Sequence, residues 1–442
     1  MIFTTVPDNP ENTPNYLKAN LTATIAKVVH ESYPTDKYRS RKLDFETLTQ
    51  LLITMDGGSI AKELLSAGLN ASVSAFVQRR KRFEWRHFER ILEEFNEMCV
   101  DSATFKGYRV FAIDGTSVNL ARDPKAATFI VNDSAPKGYN QVHVTPLYDV
   151  LNKTYHDCCL QPQRKQDEIG ALQSMLLFNY TIPRPSIIVG DRGFESYNLF
   201  THLRKAEGME FLIRVKQEKT AMKLIRNLPM RELDVDVSGE ITTRQTKEDK
   251  GKGRIFIQTH ANPDREYSGN TRAGRWDFPS PYPVSFRVVR FQLNTGVYET
   301  LAASLPRDKF SIDCLKELYH ARWGIETAFR EMKYNLGIVN LHGKSMQFAA
   351  QEIYAAMLLA NFTSRIVNAV VIEKNANTVH EYAVNFKMAT YLFKRFLRYP
   401  NADGDLLLHE IAKFVEPVRP DRSDERKIQP KSFRGFVYRV PA

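Results

Sequence analysis

Cysteine is scarce in this 442-residue chain. Its four cysteines, Cys99, Cys158, Cys159 and Cys314, form no C-x-x-C pair and have no histidine nearby at structural-zinc spacing. That pattern speaks against a disulfide framework and against a zinc finger. Long apolar runs are also missing: no stretch reaches the roughly 18 apolar residues of a membrane span. The opening segment, MIFTTVPDNPENTPNYLKAN, lacks a basic stretch followed by an apolar one, so no secretory leader is expected and the chain is expected in the cytoplasm, away from membranes. Internal repeats and low-complexity tracts are absent too, which excludes solenoid and array architectures.

Acidic side chains are in the minority, 51 Asp and Glu against 62 Lys and Arg, for a net charge of +11. Such a balance favours a polyanionic partner, because cations that neutralise phosphates release condensed counterions; a basic protein kept soluble by its charge would look the same. Hydrophobic residues make up 43% and charged residues 26% of the chain, close to the average for folded, water-soluble proteins. The length is enough for two to four units and a sizeable core.

Along the chain, residues 1–103 read as a helical N-terminal domain, with apolar residues at helical spacing over 43–55 and 60–65 and a break at Gly57 and Gly58. From Tyr108 the pattern changes to short β-type runs (YRVFAID, QVHVTPLYDV, 155–160, 186–190 and FLIRV) alternating with helical stretches over 168–177 and 197–207. This order predicts an α/β fold, a mixed sheet with flanking helices, over 104–372. Residues of about 216–297 interrupt it with alternating stretches such as GRIFIQTH and VSFRVVRFQL around a Pro/Gly/Asn-rich segment, and predict a β-rich insertion rather than a continuation of the core. A strand over 299–305, a long helix over 312–336 and a strongly apolar helix over 347–370 follow. Residues 373–442 read as a helical, basic C-terminal region, suited to dimerisation, with a polar end from Val418.

The segment YHARWGIETAFREMK is the most informative. On one continuous helix, Tyr319, Arg322, Glu326, Arg330 and Lys333 share an arc of roughly 80°, opposite an apolar stripe. A carboxylate flanked by cations suits a site for a metal ion and a phosphate backbone; an exposed helix face with ordinary i, i+4 pairs has the same spacing. Two further carboxylates end β-type runs and precede glycines: Asp114 in FAIDGTS and Asp191 in IIVGDRGF. Strand ends followed by tight turns project side chains into clefts, although either Asp alone is more often a turn former.

A second basic face lies in the helical domain. If 79–95 is one helix, Arg79, Arg82, Arg86 and Arg90 fall on one side, opposite Trp85, Phe88, Ile91, Leu92 and Phe95. The stripe is placed to follow a DNA backbone, and a solvated charged face explains it equally well. His143 and His156, in β-type runs, read as structural imidazoles, and Cys158 and Cys159 as packing residues.

The DRGF turn and the pattern Tyr319, Arg322, Glu326, Lys333 (Y-x2-R-x3-E-x6-K) resemble the signature of the insertion-sequence-four family of bacterial transposases, in the DDE, ribonuclease-H-like superfamily. The resemblance spans about 109–344 and includes a β insertion between the second Asp and the Glu. It implies a ribonuclease-H-like core in which Asp114, Asp191 and Glu326 are the catalytic metal ligands, and Tyr319, Arg322 and Lys333 contact DNA near the reacting phosphate. It further implies Mg²⁺ as cofactor with Mn²⁺ as substitute, transposon terminal inverted repeats and target DNA as partners, a homodimer that synapses two ends, and a bacterial, nucleoid-associated setting. Members with such an insertion imply a hairpin intermediate and an aromatic stacked on a flipped base, for which Trp276 and Tyr298 are candidates. A nuclease of the same core that cleaves without strand transfer, and an inactive DNA-binding protein, are the alternatives.

Overall fold

The computed structural model describes residues 13–35, 43–133, 135–178, 181–217, 221–257, 276–293, 295–370, 372 and 381–418. The polar end beyond Val418 and most of the Pro/Gly/Asn-rich segment within 262–283 lie outside the described residues.

The chain begins with helices α1 (Pro14–Ser32), α2 (Phe45–Thr54), α3 (Ile60–Ser66), α4 (Val73–Arg82) and α5 (Arg86–Glu97). The first four each start at a side-chain cap, in which Thr13, Asp44, Ser59 and Ser72 accept from backbone N–H groups of the first turn. The single helix expected over 79–95 is two helices. Phe83 turns into the core, wholly buried among Tyr33, Phe45 and Phe88, and its burial breaks the helix between Arg82 and Arg86.

Strands follow as β1 (Arg109–Ile113), β2 (Thr116–Leu120), β3 (Phe129–Asn132), β4 (Ala135–Asp149) and β5 (Thr154–Pro162), then helix α6 (Glu168–Phe178), β6 (Ser186–Gly190), helix α7 (Tyr197–Lys205), β7 (Met209–Arg214), β8 (Leu233–Thr242), β9 (Ile255–Phe256), β10 (Tyr282–Gln292) and β11 (Tyr298–Ala303). Among the described residues they form one mixed sheet in the order β2-β4-β1-β6-β7-β11-β10-β8-β9, with β3 and β5 also paired to β4. β1, β6 and β7 run parallel, and β4 and β11 flank them antiparallel. This central trio is buried on both faces, which is why it reads as unbroken apolar runs rather than as alternation. The interrupting segment is β-rich, but it is not set apart from the core. β10 pairs with β11 over six residues and β8 pairs with β10 over nine, so it widens the same sheet. Alternating strands complete the open edge of β11 as readily as they would build a separate unit.

Besides short helical turns at Lys223–Arg226 and Lys247–Gly251, the remaining helices are α8 (Ile312–Ala321), α9 (Gly324–Arg330), α10 (Met346–Ala369), α11 (Phe386–Arg398) and α12 (Gly404–Ala412); β12 (Glu381–Val384) and β13 (Val415–Val418) form a separate pair. One face of the central sheet is covered by α8, through Leu315, Leu318 and Tyr319 against Val110, Ile187, Val189 and Leu212. The other carries α6 and α7, through Ala171, Leu172, Leu199 and Leu203 against Phe111, Ile188 and Phe211. Helix α10 is buried on all sides from Ala349 to Ile366 and mostly apolar, as suits a helix surrounded by protein. Leu17, Phe88, Ile353, Phe362, Phe393 and Ile411 belong to one core around it, so helices from both ends of the chain, read as separate regions in the sequence, share that core.

Polar ties hold this helical lobe together and fix it to the sheet. Asn361, fully buried on α10, accepts from Tyr155 N (2.7 Å) and donates to Tyr155 O (2.7 Å) on β5. Arg365 binds Asp101 at 2.9 Å, and Arg80 binds Glu352 at 2.8 Å, both pairs out of water. A buried guanidinium requires such a partner, because the cost of desolvating an unpaired charge is several kcal/mol.

Candidate active site

Asp114 follows the last residue of β1, and Asp191 the last residue of β6. The two strands are parallel neighbours with Ile113 opposite Gly190, so both carboxylates emerge from the same end of the sheet on strands about 4.8 Å apart. Each is anchored to its own turn: Asp114 Oδ1 accepts from Gly115 N (2.8 Å), and Asp191 Oδ1 from Gly193 N (2.6 Å). Burial, reinforced by the charges of Asp191 and Glu168, pushes the Asp114 carboxyl up to about 6, against the opposing pull of the Gly115 N–H and Arg322.

Glu326 comes from a separate element, the first turn of α9. Arg322 connects it to the strand ends: Nη1 lies 3.8 Å from Asp114 Oδ2 and Nη2 lies 3.4 Å from Glu326 Oε1. The Arg322 side chain is 5% exposed, those of Asp114 and Glu326 26% and 33%. The guanidinium is thus nearly buried between two partly exposed carboxylates from different elements.

The long helix expected over 312–336 is broken at this point. Arg322 N and Trp323 N bond to the carbonyls of Tyr319 and His320, three residues back, before α9 starts at Gly324, and a π-helical turn, Glu331–Asn335, follows it. Tightening to i−3 bonds and widening to a π turn both alter the rotation per residue, so the five polar residues do not share one exposed stripe. Tyr319 and Arg322 are buried, Glu326 and Lys333 are half-buried, and Arg330 is exposed. Burial lowers the pKa of Lys333.

The arginines of the helical lobe also separate. Arg79 lies with its guanidinium 3.6 Å from the Phe45 ring centre, Arg82 and Arg86 are exposed, and Arg90 is engaged by Glu94 (2.7 Å) and by Glu31. Because α4 and α5 are distinct helices, the four do not form a continuous stripe. Trp276 is 9% exposed, packs against Phe278 and Tyr282, and donates to Pro279 O (3.1 Å), which makes it a structural residue of the sheet edge. Tyr298 opens β11, half-buried and in register with Gln292.

Two residues beside the carboxylates carry no functional signal in the sequence. Glu168 opens α6 and His143 lies on β4, and His143 Nε2 donates to Glu168 Oε1 at 2.9 Å. A glutamate at the start of a helix is what the helix dipole favours anyway, so only the folded chain shows that it reaches the two aspartates.

The family model for the transposase DDE domain matches residues 105–362. The chain belongs to that family. The matched span runs from the approach to β1 into α10 and contains Asp114, Asp191 and Glu326, so the carboxylate cleft lies wholly inside the transposase DDE domain. No curated protein matches the chain. Among solved structures, the chain is similar to a piggyBac transposase in a synaptic complex with hairpin DNA, at 12% identity and a TM-score of 0.40, covering 96% of this chain and 80% of that one; a likeness this slight places no residue.

The donor set suits a divalent cation. Carboxylate oxygens are the hard ligands that Mg²⁺ and Mn²⁺ take, and Asp114 has its pKa raised chiefly by burial, with the charges of Asp191 and Glu168 adding to it. Among the described residues no three His, Cys, Asp or Glu side chains are gathered closely enough to hold an ion as they stand, and Arg322 reaches both Asp114 and Glu326.

Proposed function

We propose that this member of the transposase DDE domain family cleaves DNA at transposon ends and joins the freed ends to new sites, on a ribonuclease-H-like core over 104–372, with Asp114, Asp191 and Glu326 as the metal-holding catalytic residues. The observation that carries this reading is the pairing of Asp114 and Asp191 on adjacent parallel strand ends, linked through Arg322 to Glu326 within the matched span. Two antiparallel strands leading into a parallel trio, with helices on both faces, support the core assignment.

Bound Mg²⁺, or Mn²⁺ in its place, would activate the attacking oxygen and stabilise the leaving one in an in-line displacement at phosphorus. The protein's own groups do the rest. Asp114 and Asp191 each have one oxygen held by a turn N–H group, which limits the ways either carboxylate can rotate before any substrate arrives. Arg322, whose Nε has no hydrogen-bond partner, offers positive charge to the phosphate, and Tyr319, Arg330 and Lys333 are assigned to DNA contact near it. Water attack at the transposon end breaks the P–O3′ bond and frees a 3′ hydroxyl; that hydroxyl then attacks the opposite strand, closing a hairpin, or the target DNA directly. Exposed Arg82 and Arg86 suit the DNA flank better than Arg79, which packs on Phe45, and Arg90, which is engaged by Glu94 and Glu31; two transposon ends call for a homodimer with the C-terminal region contributing.

Asp191→Asn keeps the shape of the turn and removes one charge. Cleavage of a DNA duplex carrying the chain's own terminal repeat is expected to fall at least about 100-fold, the scale of losing one preorganised charge-stabilising group, while gel-shift binding of that duplex stays near wild type. Unchanged cleavage by this variant removes the assignment. Supplying a 3′ hydroxyl-ended fragment with target plasmid and Mg²⁺ separates a transposase, which joins them, from a nuclease, which does not.

A further inference from the structure

The polar side chains around the two aspartate turns include a pair that the proposed chemistry leaves unused. His143 is 4% exposed and sits on β4 between Ser117 of β2 and Gln161 of β5. Its Nε2 meets Glu168 Oε1 at 2.9 Å, while its Nδ1 is buried with no hydrogen-bond partner. A carboxylate only accepts, so Nε2 carries the hydrogen of this bond.

The glycines of both turns show where the pair lies. A Cβ on Gly115, the residue after Asp114, would fall 2.2 Å from Glu168 Oε1 and 2.3 Å from His143 Nε2. A Cβ on Gly193, in the Asp191 turn, would fall 2.8 Å from Asp191 Oδ1 and 3.4 Å from Glu168 Oε2. One oxygen of Glu168 is therefore pressed over the backbone after Asp114, and the other faces the turn that holds Asp191. Asp167 keeps Glu168 in place, capping α6 by accepting from Gly170 N at 2.9 Å, with its own N–H bonded to Gln161 Oε1 at 2.9 Å.

We propose that Glu168, oriented by His143, is a positioning residue of the carboxylate cleft: it sets the spacing of the Asp114 and Asp191 turns and adds a fourth negative charge that draws a divalent cation to them. The inference rests on the assignment of those aspartates as catalytic. Residues that orient ligands from behind are as diagnostic of a metal site as the ligands, and their loss typically costs about 10–100-fold in affinity or activity. A histidine on a rigid strand is a better anchor for such a carboxylate than a mobile surface partner, since its ring has few ways to move.

The test uses the full chain. Glu168→Gln is expected to lower single-turnover nicking of end DNA by about tenfold or more and to weaken Mn²⁺ binding to the DNA-free protein, read by electron paramagnetic resonance of free Mn²⁺, by a similar factor. Binding of end DNA and the melting temperature are expected to stay put. His143→Gln keeps an N–H donor and is expected to retain more nicking and tighter Mn²⁺ binding than His143→Leu. Should Glu168→Gln fail to fold, the two histidine variants carry the comparison. Wild-type nicking and Mn²⁺ affinity in Glu168→Gln, with Asp191→Asn inactive, overturn the role of Glu168 alone; so do His143→Gln and His143→Leu that fail equally with equally lowered melting temperatures. Full nicking by Asp191→Asn overturns the cleft assignment itself.

Discussion

Arg322 illustrates how much of the cleft depends on one side chain. It is nearly inaccessible, yet its two terminal nitrogens reach carboxylates from two different elements, a forked geometry that lysine lacks. Arg322→Lys retains the charge but makes at most one of these contacts well, and is expected to reduce end cleavage by about tenfold or more, as loss of an orienting residue does, with DNA binding largely kept; single-turnover kinetics beside gel-shift titration checks this. Asp114 and Asp191 are legible in the sequence because each ends an apolar run and precedes or caps a glycine turn. Glu168 and His143 are not, because their partnership joins a helix start to the middle of a strand.

At the level of elements, the two places where helical counting fails are the two places where a helix is interrupted. Counting at a fixed angle assumes an unbroken helix, and neither the burial of Phe83 nor the tightened turn at Arg322 and Trp323 leaves a proline to mark it. Gly324 is the only weak helix former at the second break, and a Cβ there would make ordinary contact with Val150 at 3.6 Å. Gly324→Ala favours helix by up to about 1 kcal/mol, so the variant is expected to melt no lower than wild type yet to cleave more slowly, because continuing the helix through Trp323 displaces Arg322 and Glu326. Equal or faster cleavage by a stabilised variant, followed by thermal unfolding and a nicking assay, would show that the interruption has no part in the chemistry. The strands were easier to read: β1, β6 and β7 are short, apolar and bounded by turn residues. Which strand of the interrupting segment pairs with which was not, since alternation alone does not name a partner.

In the whole molecule, helix α10 unites segments hundreds of residues apart. Its apolar character was plain in the sequence; what surrounds it was not, because burial on every side does not say by whom. The pair between Glu352 of α10 and Arg80 of α4 is the sharpest probe of this union. Burial opposes the Glu352 charge, but Arg80 and His342 prevail and bring its pKa down to about 2 from an ordinary 4.5. A carboxyl depressed in the folded state contributes stability above its unfolded pKa and loses it as pH falls through the folded one. Part of the acid sensitivity between pH 4.5 and 2 therefore belongs to this pair. Glu352→Gln leaves Arg80 buried without a counter-charge and is expected to cost about 3–5 kcal/mol at neutral pH, and to flatten the fall in melting temperature on acidification; denaturant melts at several pH values check both.

The three carboxylates are mounted on unequal supports. Asp114 and Asp191 are fixed to the middle of a wide sheet, where shifting one would shear several rows of backbone bonds. Glu326 instead rides just past the interruption at Arg322 and Trp323, on a short helix whose Ile325, Ala328 and Phe329 are packed into the core of the helical lobe. The distance between the two supports is therefore set by how the helical lobe seats on the sheet, so packing far from the carboxylates decides how far apart they stand.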